Sequence, residues 1–476
     1  MAGLLDTVYR LAPVPLQHTM VTVYGWYWNR LRFGGVFQDE YAGFKQREYY
    51  TPEQWRTYQT QQLRDLLLYA YDHVPHYQKA WRDFDREQLA HFMLDDLSSL
   101  PIVTKGMVRD KPQDFVANGT PHAKHIEFTT SGSTGTPVST FWMPNELQKS
   151  LALREARSCG FADVSYQLPR ATFSGRIVEP DPESDGPYYR FNWIEKQVYF
   201  SAFHLGPQTV QKYIQALQRH QVQWITGYSN SIYQLALLAE EQGLDVPRLQ
   251  AIITTSEKVT PMMRDVMERV FATKVYEEYG TVEDIMYVCE NQQGELLVSP
   301  DAGIVEIVDE TYKPVLAGEY GQVVATGFVR PHNPMIRFAL GDVAAFSPSL
   351  SSCGRQMPVI QDVAGRIEDT VYAPDGRRMV RFHGIFVSQP HVKMAQVIQE
   401  AIDHIHLRVV PKPGFGQADI DDMTARIHQR LTDAVRVTVE TVEAIEQKSS
   451  GKYQAVISKL SAEEIQALRQ KTNQFN

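Results

Sequence analysis

Between Phe128 and Thr140 the chain reads FTTSGSTGTPVST, and Thr129 to Gly135 alone holds five hydroxyl residues and two glycines. A glycine-rich turn lets backbone N–H groups approach an anion, and Ser and Thr add hydroxyl donors. The stretch follows His125–Phe128, which reads as a short strand, and precedes Leu147–Ala156, which has helical composition. That placement points to a phosphate-holding loop. It is not a Walker A sequence, because no Gly-Lys-Ser/Thr closes it. The cation against phosphate charge must therefore come from elsewhere, and Lys452 in QKSSGKYQAVISK is the candidate.

Five stretches in order, TSGSTGTP, YGTVE, RFALGDVA, AGRIED and SGKYQ, resemble the motifs of the adenylate-forming superfamily. That superfamily includes acyl-CoA synthetases, luciferases and peptide-synthetase adenylation domains. LLLYAYDHVPHY, LPIVTKGMVRD and CGRQMP are similar to its phenylacetate–CoA ligase branch, and QVIQEAI with SSGKYQAVISK to that branch's capsular-polysaccharide-associated members. The likeness runs nearly the length of the chain. It implies that Ser131, Gly132, Ser133, Thr134, Gly135 and Thr136 cradle the ATP phosphates, and that Ser256 and Glu257 meet the adenine. It further implies that Tyr279, beside Gly280, stacks on the base, that Asp342 holds the ribose hydroxyls and that Arg366 reaches ribose and phosphate. Glu283 would hold Mg²⁺, which prefers carboxylate and phosphate oxygen. Glu368 falls at the hinge, and Lys452 would face the α-phosphate.

The implied reaction is activation of a small carboxylic acid as acyl-AMP with release of pyrophosphate. The acyl group then passes to CoA, or to an amine or hydroxyl on a sugar or metabolite. Three departures bear on this. Val282 stands where the family usually has Thr or Ser, which leaves open a second reading as a catalytically impaired nucleotide-binding scaffold. Cys289 and Cys353 remain of a zinc-like set, with Leu297 and Ser351 in the other places, so no zinc site is expected. VRFHGIFVSQPHV differs from the usual Gly-rich CoA stretch.

An α/β fold must position these residues. From Gln197, strand-like VYFSAF, VQWITGY, LQAIITT and KVYEEY alternate with helix-like stretches, which predicts βαβ units and a parallel sheet flanked by helices. Ligands then sit beyond the carboxyl ends of the strands. Phe203, His204, Tyr228 and Ser229 fall there and are the expected acid pocket, with an aryl acid suggested by the aromatics. After Glu283, ELLVSP, GIVEIVD, GQVVATGF, MIRFAL and VAAFSP read as separate short strands of a β-rich subdomain. The small α+β unit that follows is expected as QPHVKMAQVIQEAI helix, HIHLRVVP strand, ADIDDMTARIHQRLTDAV helix and RVTVETV strand. These readings give an N-terminal domain over 1–367 and a small, mobile C-terminal domain over 368–476, which carries Lys452.

Composition narrows the classes. A net charge of −9 over 476 residues argues against a nucleic-acid partner. Three scattered cysteines, Cys159, Cys289 and Cys353, suit free thiols in a reducing compartment. Residues 1–33 are aromatic and apolar, but Pro13, Pro15, His18, Asn29 and Arg30 interrupt them before the ~20 residues of a membrane span. A cytoplasmic location is expected, with the stretch either packed as a helix or touching a membrane surface through Tyr24, Trp26, Tyr27 and Trp28.

Overall fold

In the computed structural model, the described residues are 2–119, 125–129, 138–176, 178–181, 183–366, 371–375, 378–379, 383–386, 389–446, 455–461 and 463–464. The aromatic N-terminal stretch forms two helices, α1 (Ala2–Leu11) and α2 (Val14–Phe33). One side of α2 is docked: His18 Nδ1 accepts from the Phe191 amide at 2.9 Å. Gly25 is needed there, because a Cβ would fall 1.9 Å from Asn192 Nδ2. The other side exposes Val23, Tyr24, Trp26 and Tyr27. Among the described residues no helix is long and apolar enough to cross a membrane.

Helices α3 (Phe37–Arg47) and α4 (Pro52–His73) follow. α4 carries an apolar stripe of Leu63, Leu66, Leu67 and Ala70, and Thr51 caps it with Gln54. Short helices α5 (Pro75–Ala80), α6 (Arg86–Ala90) and α7 (Lys105–Asp110) lead to a hairpin of β1 (Ile126–Thr129) and β2 (Ser139–Trp142). Then comes α8 (Pro144–Arg154), extended by a π-helical turn over Glu155–Cys159.

Next come β3 (Arg170–Ser174), β4 (Tyr189–Asn192), β5 (Gln197–Ser201), α9 (Val210–Arg219), β6 (Trp224–Tyr228), α10 (Ser229–Glu241), β7 (Ala251–Thr255), α11 (Pro261–Phe271) and β8 (Lys274–Gly280). As expected from the alternation, β5, β6, β7 and β8 run parallel, with β3, which the alternation did not include, paired in parallel between β5 and β6. Strands β9 (Tyr287–Glu290), β10 (Leu296–Val298), β11 (Gly303–Val308), β12 (Gly321–Gly327), β13 (Phe338–Phe346) and β14 (Val359–Arg366) continue the same sheet. The full order is β11-β12-β13-β14-β10-β9-β8-β7-β6-β3-β5-β4. MIRFAL and VAAFSP, expected as two strands, are corrected to one. Gly341 adopts φ 77 inside β13, so a residue that reads as a turn is absorbed as an irregularity of a continuous strand.

The chain divides into two compact units. The first is Met1–Val259, Met263–Leu340 and Ala345–Asp362; the second is Thr260–Met262, Gly341–Ala344 and Val363–Asn476. The second unit holds the hairpin β15 (Val371–Tyr372) and β16 (Arg378–Met379), the short α12 (His383–Phe386), strands β17 (Val392–Ala401) and β18 (His404–Pro411), helix α13 (Gln417–Arg430), β19 (Arg436–Thr441) and β20 (Val456–Ser458). Val397, Ile405, Leu407 and Val409 pack against Met423 and Ile427 of α13 as its core.

One element here overturns the expectation. QPHVKMAQVIQEAI contributes β17, not a helix, and β17 pairs antiparallel with β18. Met394, Val397, Ile398 and Ala401 fall at helical spacing, but residues 396–399 are buried on both faces of the strand, so no period-2 alternation shows there.

Candidate active site

The parallel strands β6, β7 and β8 end in Tyr228, Thr255 and Gly280, and the loops leaving them carry the expected residues. Ser256 turns the chain with φ 72. That turn aims the Glu257 carboxylate at the start of α10, where it accepts from the Asn230 amide at 3.1 Å and contacts Ser229 Oγ at 3.4 Å. A carboxylate at a helix N-terminus satisfies orphan amides and suits the dipole. Tyr228 hydrogen-bonds the backbone of Gly175 just past β3, and burial pushes its phenol up. Tyr228, Ser229, Ser256 and Glu257 thus come together.

After β8 the segment Thr281–Asp284 makes a turn, with the Asp284 amide donating to the Thr281 carbonyl at 3.0 Å and Asp284 at φ 47. The turn exposes Val282 (42%) and buries Glu283 (5%) and Asp284 (3%). Arg154 of α8 tethers it, with Nη2 3.1 Å from Asp284 Oδ1 and Nη1 3.3 Å from Glu278 Oε2. Burial opposes the Arg154 charge, yet Asp284 and Glu278 hold it above its usual range. Burial pulls Arg330 down, against the attraction of Glu146, Asp284 and Glu283. Glu146 itself is pushed up by burial, although the Met143 and His332 amides donate to it.

The remaining expected residues are placed as follows. Tyr279 and Gly280 pair with Val288 and Tyr287 on β9. Asp342 follows Gly341 in β13, and Arg366 is the last residue of β14. Ser131 to Thr136, Glu368 and Lys452 lie outside the described residues, as does the side chain of Arg366. Phe203 and His204 follow β5, and β3 lies between that strand and β6, which ends in Tyr228. His204 is held by Ser201 Oγ at 2.8 Å and the Asp181 carbonyl at 2.9 Å, and it stacks on Tyr188.

Cys289 faces Leu297 across β9 and β10, and both pack in one core with Cys353, whose Sγ is 2.9 Å from Ser351 Oγ. Among the described residues no three His, Cys, Asp or Glu side chains converge as a metal-ligand set. Mg²⁺ needs no such cage, since one or two carboxylates with substrate phosphates hold it. The buried oxygens of Glu283 fit that donor chemistry.

Sequence reasoning missed a cavity of about 300 Å³, lined by α8, by Arg32 and Phe33 of α2, and by β3, β5 and β6. Its sheet face consists of Arg170, Thr172, Ser174, Gln197, Tyr199 and Thr226. The alternate residues Ala171, Phe173, Val198, Phe200 and Ile225 are fully buried on the other face. Parallel strands usually read as continuous apolar runs because both faces are covered. RATFS and QVYFS alternate instead, and that was the signal available in the sequence. None of Phe203, His204, Tyr228 or Ser229 lines this cavity.

Comparison with known proteins agrees with the motifs. Residues 371–459 match the family model of the CapK C-terminal domain. The chain is 22% identical over 419 residues to Protein CapK of Staphylococcus aureus, covering 86% of this chain and 88% of that one. It is 24% identical over 369 residues to the phenylacetate–coenzyme A ligase of Pseudomonas putida, covering 74% and 78%. A solved 2-hydroxyisobutyryl-CoA ligase in its postadenylation state, in complex with R3-HIB-AMP, superposes with TM-score 0.68 at 21% identity, over 90% of this chain and 94% of that one. This chain is therefore similar along most of its length to CapK and the phenylacetate–coenzyme A ligases, and it shares the fold of the solved 2-hydroxyisobutyryl-CoA ligase.

Proposed function

We propose that the protein is an ATP-dependent, carboxylate-activating ligase that forms an acyl-adenylate and pyrophosphate. The observation that carries this is the gathering of Tyr228, Ser229, Ser256 and Glu257 at the carboxyl ends of the parallel strands, where open α/β sheets take ligands. The buried Glu283 leaves the next strand in the same sheet.

In this reading the substrate carboxylate attacks the α-phosphorus of ATP, and the bond to the β-phosphate oxygen breaks as pyrophosphate leaves. Residues 131–136 hold the β- and γ-phosphates through backbone amides and hydroxyls. Asp342 accepts from the ribose hydroxyls, Tyr279 covers the adenine, and Arg366 reaches ribose and phosphate. Glu283 holds Mg²⁺, which when bound offsets phosphate charge. Arg154 keeps the Glu283 turn in place through Asp284. Lys452, on a small domain that begins at 368 and pivots near Glu368, opposes the negative charge growing on the α-phosphate. No covalent enzyme nucleophile is needed. The acyl group then goes to CoA or to an amine or hydroxyl.

Val282 favours a second reading, a nucleotide-binding scaffold, because its exposed side chain offers no hydroxyl. Carboxylate-dependent exchange of labelled pyrophosphate into ATP separates the two. A ligase supports exchange and loses it in Lys452→Ala; a scaffold shows none. Repeating the reaction with CoA, hydroxylamine and a sugar amine identifies the acceptor.

A further inference from the structure

The cavity beneath α8 is built for charge. At its deep end Arg170 (2% exposed) gives Nη2 to Gln197 Oε1 at 2.7 Å and Nη1 to the Glu195 carbonyl at 3.0 Å. Its Nε is buried with no hydrogen-bond partner among the described residues. An orphaned buried donor is costly unless a ligand completes it. Arg32 also lines this end and shares Glu195 with Arg170, at 3.5 and 3.7 Å. Two guanidiniums face one carboxylate, so the deep end carries one positive charge in excess.

The outer end is balanced. Arg154 meets Glu278 and Asp284, and Arg176 lies over the Tyr199 ring at 5.4 Å. Between the ends the wall offers Thr172, Ser174, Gln197, Tyr199, Thr226 and, from α8, Ser150. Gly227, with φ 133, permits this: a Cβ there would sit 1.9 Å from the Phe173 carbonyl and push β6 off β3. Arg170 to Ser174 spans ~13 Å at ~3.3 Å per residue, room for a chain of about six atoms with two carboxylates.

We infer that this cavity is the acid-binding pocket, and that it takes a hydroxylated acid of about six carbons whose far end carries a second carboxylate held by Arg32 and Arg170. The inference rests on the ligase reading and replaces the expected aryl acid with a hydrophilic dianion. Gln197 bonds Thr172 and Arg170, and Tyr199 bonds Glu195, which leaves Ser150, Ser174 and Thr226 of the wall to pair with hydroxyls on a ligand and favour a hydroxylated chain over an apolar one.

Calorimetric titration of the full chain with hexanoate, adipate, glucarate and benzoate tests this. Hexanoate against adipate isolates the second carboxylate, and adipate against glucarate isolates the hydroxyls. Adipate is expected to bind about tenfold more tightly than hexanoate, in line with a charged hydrogen bond worth roughly 1.5 kcal/mol. Glucarate is expected to bind tightest, and benzoate weakly. Arg32→Gln should remove the adipate preference, and Arg32→Lys should keep most of it. Equal affinity for adipate and hexanoate, no saturable dicarboxylate binding, or an unaltered preference in Arg32→Gln overturns the inference. Pyrophosphate exchange with benzoate alone overturns it too, while leaving the ligase reading intact. Saturable glucarate binding without exchange upholds the pocket and removes the ligase.

Discussion

Arg154→Met tests how the Glu283 turn is held. The guanidinium is the cation shared by Asp284 (side chain 3% exposed) and Glu278 (7%). Removing one member of a buried ion pair costs about 3–5 kcal/mol, because the other charge stays desolvated and uncompensated. The two acids do not suffer equally. Glu278 keeps hydrogen bonds from the hydroxyls of Ser158 and Tyr287. Asp284 Oδ2 has no partner among the described residues, so most of the cost should fall on Asp284. We expect Arg154→Met to lose about 3 kcal/mol and Asp284→Asn in that background to recover at least about 1.5 kcal/mol, since neutralising the orphan removes the desolvation penalty. Arg154→Lys should fall between, as one ammonium cannot span both carboxylates with a planar fork. Equilibrium urea unfolding of the four proteins measures these differences, and pyrophosphate exchange reports the turn itself. A loss below about 0.5 kcal/mol in Arg154→Met, the range of ordinary surface changes, or no recovery with Asp284→Asn, would refute the argument that this ion pair holds the turn.

Glu257→Ala should cost about 1 kcal/mol by uncapping α10 and should lower exchange activity by releasing Ser229; urea unfolding and initial rates check both. Asp342→Ala should weaken ATP by roughly 1.5–3 kcal/mol, read by calorimetry. Burial holds His220 and His332 down at about 4, below the ~6.5 of an unfolded histidine. Their neutral rings therefore contribute stability in full above pH ~6.5, and that contribution is lost as pH falls toward 4. His220→Gln and His332→Asn should flatten the acid side of a stability–pH curve. For the thiols, burial pushes Cys159 and Cys289 up, while at Cys353 hydrogen bonds from Ser351 and Arg355 outweigh burial and pull it down. Iodoacetamide should modify Cys353 first, as mass spectrometry of peptides would show.

The sequence by itself determined the parallel half of the sheet. Strands β5, β6 and β7 are short and each is followed by a helix whose buried face recurs at about 3.6 residues, so local pattern and tertiary role coincide. Motif order likewise located Ser256, Glu257 and Glu283 at strand ends. Tertiary structure alone decided the rest. Strand β17 is buried on both faces over 396–399, which hides its period, and β13 runs through Gly341 where a turn was expected. His204 follows β5 and Tyr228 ends β6, and no local pattern encodes that β3 lies between those strands. The cavity shows the same limit. Arg32, Arg154, Arg170 and Tyr199 are far apart in sequence and individually read as surface or core residues. Only the packing of α2 and α8 over one face of the sheet turns them into a single charged wall, because burial and net charge belong to the assembled neighbourhood and not to any one residue.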